Sequence, residues 1–87
     1  MTLTKAEGVT AEPSGDRTLA LDASGKQMIT LSPVATIIWN HLDEPRQADE
    51  IIDHLATLFE DIDRSRLRAD ADALLTELVE LGFVTEN

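Results

Sequence analysis

A small α+β fold, a three-stranded antiparallel sheet followed by a three-helix bundle, is predicted by three features of this 87-residue chain. Gly8, Pro13, Gly15 and Gly25 divide residues 1–31 into short runs rich in Thr, Val, Leu and Ile, a pattern of strands and turns. Within Leu31-Ser-Pro-Val-Ala-Thr-Ile-Ile-Trp39 the apolar spacing lengthens from two to three or four, so sheet hands over to helix there. From Pro33 to Gly82 the apolar residues keep helical spacing.

The first strand is expected over roughly Thr4 to Glu12, turning through Pro13-Ser-Gly-Asp16 into a second, Arg17 to Ala23, with Leu19 and Leu21 on one face. Ser24-Gly25 turns the chain again into a third strand, Lys26 to Leu31, completing a meander over residues 4–31. Ser32 can cap the first helix with its hydroxyl, and Pro33 suits the first helical position, where a missing N–H costs nothing. That helix spans about 33–42, with Ala35, Ile38, Trp39 and Leu42 as its apolar stripe, and Pro45 stops it. The second helix covers about 47–59 around Ile51, Ile52, Leu55, Leu58 and Phe59, from a weak cap at Gln47. The third covers about 63–82: Asp63 caps it, Ile62 staples onto Leu67, and Leu67, Ala71, Leu74, Leu75 and Leu78 face the core. Gly82 should end it in a left-handed turn, folding Phe83 back on Leu78. The tail Thr85-Glu-Asn87 is expected to fray, and residues 1–87 form one domain, winged helix-turn-helix-like in outline.

Composition excludes several functions. There is no cysteine, hence neither disulfide nor thiolate metal site, and nothing requires an oxidising compartment. No apolar run approaches the ~20 residues of a membrane span, and Met1-Thr-Leu-Thr-Lys-Ala-Glu7 lacks a signal-peptide core, so a cytoplasmic protein without membrane contact is expected. Seventeen acidic against seven basic residues give a net charge of −10, which repels phosphate backbones and anionic lipid. Nucleic acid is a poor partner; a basic peptide or protein surface suits the charge better.

Catalytic constellations are missing. His41 and His54 each sit in a helix without partners at metal-binding spacing, so no metal site is expected and both read as boundary histidines. Ser14, Ser24, Ser32 and Ser65 lie outside any nucleophile-elbow pattern, and no glycine-rich phosphate loop is present. Pairs such as Asp70 with Asp72, or Glu77 with Glu80, read as a solvated helix face. An acyl carrier would need a serine opening a helix in an Asp-Ser-Leu-like motif, whereas Asp22-Ala-Ser-Gly25 occupies a turn. A winged-helix DNA-binding regulator would read DNA with the third helix, but acids follow Arg64, Arg66 and Arg68 at once, and the arginines have neighbouring acids to pair with.

Leu31-Ser-Pro-Val-Ala-Thr-Ile-Ile-Trp39, Glu50-Ile-Ile52, Ala69-Asp-Ala-Asp-Ala-Leu-Leu-Thr-Glu-Leu78 and Leu81-Gly-Phe-Val84 recur in the order and spacing of a known family. From Leu31 to Val84 the chain closely resembles the PqqD-like family, the leader-peptide recognition domains (RiPP recognition elements) of pathways that modify ribosomally made peptides. Free-standing chains of this length look like the leader-binding proteins of lasso-peptide biosynthesis. The resemblance implies a bacterial cytoplasmic protein with no cofactor and no catalysis of its own. Its partners would be a precursor's leader peptide and a separate modifying enzyme, a leader peptidase in a lasso pathway or, alternatively, a radical SAM enzyme served by a PqqD-type peptide chaperone.

The same resemblance implies that the leader adds as a further strand along the third strand, beside the third helix. Carried onto this sequence, the binding residues are Gln27, Met28, Ile29, Thr30 and Leu31 of the strand, with Asp70, Ala73, Leu74 and Glu77 of the helix. The four helical positions share a side through spacings of three and four. Asp70 has two readings, a polar contact to the leader or a first-turn acid favoured by the helix dipole. Met28 and Ile29 point to opposite faces, and the sequence leaves open which one the leader meets. Many relatives carry an aromatic in this strand, where Lys26-Gln-Met-Ile-Thr30 stands here. A proline at Ile29 would block docking if that N–H faces outward.

Overall fold

The computed structural model describes residues 2–87. Four strands come first: β1 (Thr2–Lys5), β2 (Thr10–Ser14), β3 (Arg17–Leu21) and β4 (Met28–Leu31). Then follow α1 (Pro33–His41), β5 (Arg46–Gln47), α2 (Ala48–Leu58), α3 (Arg64–Glu80) and β6 (Val84–Glu86). The fold is α+β, with two small antiparallel sheets where one was expected. One has the order β2-β3-β4 and carries the predicted meander; the other has the order β5-β1-β6.

The single strand expected over Thr4 to Glu12 is two strands in different sheets. Gly8 makes the break, at φ +83°, with the site of its missing Cβ 3.0 Å from the Ala23 Cβ, so a side chain there would meet both strain and a neighbour. Released from the meander, β1 pairs with the C-terminal tail, which is a strand and not the frayed end expected. Thr4 lies opposite Thr85 with their hydroxyls 2.8 Å apart, and Thr2 and Asn87 exchange backbone hydrogen bonds of 2.9 and 2.8 Å. A partner strand 81 residues away in sequence leaves no local signal, which is why periodicity missed the pairing.

The helices follow their caps. Ser32 accepts a hydrogen bond from the Ala35 N–H at 3.1 Å, and Pro33 opens α1. At α2 the weak Gln47 cap is supported by Glu50, whose carboxylate accepts from the Gln47 N–H at 2.9 Å. Asp63 occupies the N-cap of α3, but its side chain makes no capping bond; its backbone carbonyl accepts from Arg66 and Leu67 instead. Arg64 pairs with Asp53 and Arg68 with Asp49 at 2.6 Å, fastening α3 to α2. The Arg68 hydrogen bond and charge hold the Asp49 carboxyl below its usual range. At the far end Gly82 has φ +86°, the Phe83 N–H reaches the Leu78 carbonyl at 2.9 Å, and the Gly82 N–H reaches Val79 at 3.1 Å. This is the Schellman geometry expected from the sequence, with both Leu78 and Phe83 buried.

The core gathers Leu3, Ala20 and Leu31 from the strands, Ala35, Ile38, Trp39 and Leu42 from α1 and its cap, and Ile51, Ile52 and Leu55 from α2. Leu67, Ala71, Leu75 and Leu78 of α3, with Phe83 and Val84, complete it. Trp39 is buried, and the Lys5 ammonium lies 4.8 Å from its ring centre. His41 and His54 are a stacked pair, ring centroids 4.2 Å apart and planes 5° from parallel.

Burial first, then the nearby His54 and Arg46, push the His41 pKa down, with Glu50 opposing. A depressed histidine pKa means that the unfolded chain binds the extra proton, so stability is full above the unfolded value of about 6.5 and falls as pH drops below it. His54→Gln should therefore lose less stability than the native chain between about pH 7.5 and about pH 5.5, read by urea unfolding at each pH. At the α3 terminus, no atom lies within 4 Å of the position a Gly82 Cβ would take, so Gly82→Ala meets backbone strain alone. Its expected cost is about 1–2 kcal/mol, measured as a lower urea midpoint with an unchanged slope.

Candidate functional site

Each residue of an inner strand can direct its backbone N–H and C=O to one side only, and in an antiparallel pair bonded and non-bonded positions alternate. The Asp22 N–H donates to the Gln27 carbonyl at 3.0 Å, and the register then runs Leu21↔Met28, Ala20↔Ile29, Leu19↔Thr30 and Thr18↔Leu31. Ile29 and Leu31 are thus the residues whose backbone bonds to β3. The N–H and C=O groups of Met28 and Thr30 point away from it, along an edge that no other described strand covers. The condition attached to a proline at Ile29 is not met, because that N–H belongs to the ladder; Thr30 is the position that tests the edge.

Side chains alternate with the same period. Leu31 is buried and Ile29 half-buried on the helix side, whereas Met28, 65% exposed, lies on the outer face beside Leu19 and Leu21. Between β4 and α3 runs an open cleft of about 410 Å³ lined by Ile29, Thr30, Leu31, Ser32, Ala35, Leu74, Glu77, Leu78 and Leu81. Ser32, Ala35 and Leu74 also line a second, largely apolar cavity of about 260 Å³, which reaches Val34, Phe59, Ile62 and Asp70 between the three helices. The two share these three residues and together make up a trough, of which only the first part borders the free edge of β4.

The residues singled out from the sequence separate into three groups. Ile29, Thr30, Leu31, Leu74 and Glu77 meet in the cleft, with Leu74 half-buried rather than fully in the core. Asp70 lies in the adjoining cavity, exposed and 3.9 Å from Arg66 in an i,i+4 pair; because α3 starts at Arg64 and has no acid in its first turn, the reading of Asp70 as a first-turn acid does not hold. Gln27, Met28 and Ala73 line neither part. Gln27 donates its side-chain amide to the Leu81 carbonyl at 3.3 Å, tying the start of β4 to the end of α3, while Met28 offers its backbone to the edge and its side chain to the outer face. Sequence reasoning missed Ser32, Ala35, Leu78 and Leu81 in the cleft, and Val34 and Ile62 in the cavity. Val34 at 42% and Ile62 at 36% exposure carried a signal, since apolar residues just outside a helix's buried stripe are candidates for a second surface.

Among the described residues no group of three or more His, Cys, Asp or Glu is placed to hold a metal ion, and no helix is long and apolar enough to cross a membrane. The arrangement offers hydrogen-bonding backbone and an apolar trough, which suits an extended chain.

The sequence model of the family described as coenzyme PQQ synthesis protein D (PqqD) matches residues 17–84, the stretch from β3 to the start of β6 that contains the whole trough. The chain belongs to the PqqD family. Among solved structures, this PqqD-family chain is similar to one described as TbiB1 in complex with the TbiA(beta) leader peptide, with a TM-score of 0.87, 20% sequence identity, and coverage of 97% of this chain and 96% of that one. At that identity the likeness is one of fold. No curated protein matches the sequence.

The edge assignment predicts an alternating pattern of amide exchange along β4. Met28 and Thr30 amides should exchange at least about tenfold faster than those of Ile29 and Leu31, measured by NMR in deuterated buffer and corrected for intrinsic rates. Equal protection at all four positions would show that the edge is not free.

Proposed function

We propose that this PqqD-family chain binds the leader region of a ribosomally made precursor peptide by strand addition to β4, beside α3, and presents it to a separate modifying enzyme. The observation that carries this reading is the unpaired Met28 and Thr30 backbone running alongside an apolar trough. An added strand would close hydrogen bonds at both positions, which supply affinity, while alternate side chains entering the trough supply selectivity. Ile29, Leu74, Leu78 and Leu81 would meet apolar leader residues, and Glu77 and Asp70 at the rim would favour a basic one. The likeness to TbiB1, a protein described in complex with a leader peptide, supports the class of ligand.

The chain acts without catalysis of its own, its contribution being a raised local concentration of precursor beside the maturation enzyme. A lasso-peptide pathway with a leader peptidase is the favoured setting, on the sequence resemblance to that pathway's leader-binding proteins. The family's description, a coenzyme PQQ synthesis protein, supports a second setting in the same class; there the sequence resemblance implies a PqqD-type peptide chaperone with a radical SAM enzyme as the recipient. A DNA-binding regulator is disfavoured by the net charge of −10 and by Arg64, Arg66 and Arg68, each paired with a carboxylate.

The test is titration with a fluorescein-labelled synthetic leader peptide, against duplex DNA at low salt as the rival ligand. Thr30→Pro removes one outward N–H and places a ring on the edge, so leader affinity should fall at least about tenfold with the helical circular dichroism intact. Unchanged affinity sinks the edge-docking reading. Reversing charge at both Asp70 and Glu77, to Lys, should weaken a leader carrying Lys or Arg and flatten its dependence on ionic strength. An unaltered salt dependence would leave those acids as solubilising groups.

A further inference from the structure

The β2-β3-β4 sheet has two edges, and by length and exposure the wrong one is the better template. β2 has five residues, all exposed, while β4 has four with Leu31 buried. No described strand pairs with the outer side of β2, and the space between its end and α1 is an open cavity of about 560 Å³ lined by Glu12, Pro13, Thr36, Trp39 and Asn40 among others. The register distinguishes the edges. Thr18 and Ala20 of β3 direct their backbone groups to β4, so Arg17, Leu19 and Leu21 direct theirs to β2, where they face Ser14, Glu12 and Thr10. The outward-facing positions of β2 are then Ala11 and Pro13. Proline has no N–H to give, and its ring projects where an added strand would lie. An incoming strand could close a full pair of hydrogen bonds only at Ala11, whereas on β4 it closes them at both Met28 and Thr30.

We propose that Pro13 closes the β2 edge to strand addition, against both extended peptides and a second copy of this chain, and so leaves β4 as this sheet's one docking edge. The peptide half of the statement rests on the reading of β4 given above; the self-association half does not. A proline at an outward position leaves the β2–β3 ladder intact, since Pro13 spends no hydrogen bond on β3.

The experiment compares the native chain, Pro13→Thr, and Pro13→Thr combined with Ala11→Pro, which moves the block to the other outward position. Sedimentation velocity without peptide should show Pro13→Thr self-associating at least about tenfold more strongly than the native chain, and the double variant returning to native behaviour. Titration with the labelled leader peptide should show one peptide per native chain and a second on Pro13→Thr. A Pro13→Thr chain that stays as monomeric as the native one and takes no second peptide overturns the proposal, as does self-association that survives Ala11→Pro. If the native chain binds no leader peptide, the β4 reading fails while sedimentation still decides the role of Pro13.

Discussion

β3 is the strand on which the arrangement turns, because a backbone amide points one way only. Having neighbours on both sides, β3 divides its residues between them, Thr18 and Ala20 to β4 and Arg17, Leu19 and Leu21 to β2. That division fixes which backbone groups of the outer strands remain free. It also fixes side-chain direction, so the residues that bond to β3, Ile29 and Leu31, are those whose side chains face the helices. The free groups of Met28 and Thr30 and the apolar floor of the trough are therefore two results of one register, and a slip by one residue would exchange both at once.

The helices hold this edge at a working distance from α3. α1 starts one residue after β4 because Ser32 caps it and Pro33 tolerates the tight handover, which places Ser32 and Ala35 in the floor between β4 and α3. Gln27 reaches across to the carbonyl of Leu81, the residue that ends α3, and the Gly82 turn sends Phe83 into the core behind the helix end. Two ion pairs from Arg64 and Arg68 join α3 to α2, so the arginines of a candidate nucleic-acid reader are already paired within the fold.

The helical half was legible because its signals are local: Ser32-Pro33, the three-and-four spacing around Ile38 and Leu55, and Gly82 followed by Phe83. The sheet was legible only where strands are neighbours in sequence. Pairing of β1 with β6 joins the chain's first described residue to its last, and no periodicity in Thr2-Leu-Thr-Lys5 announces a partner that far away. Within the trough, Ile29, Leu74 and Glu77 could be named from helix and strand spacing together with the family resemblance. Leu81 could not, since it lies at a helix end where spacing no longer says which way a side chain turns. The direction of the Ile29 N–H was undecidable without a register, because a strand written alone has two equivalent edges.

Trp39 is the chain's one tryptophan, enclosed in the core and absent from both parts of the trough. Its emission is thus an internal gauge of whether the domain is intact, insensitive to events at β4, and a dye carried by an added peptide supplies a second, independent colour. Two optical channels on one sample separate a variant that has come apart from one that has merely lost its grip.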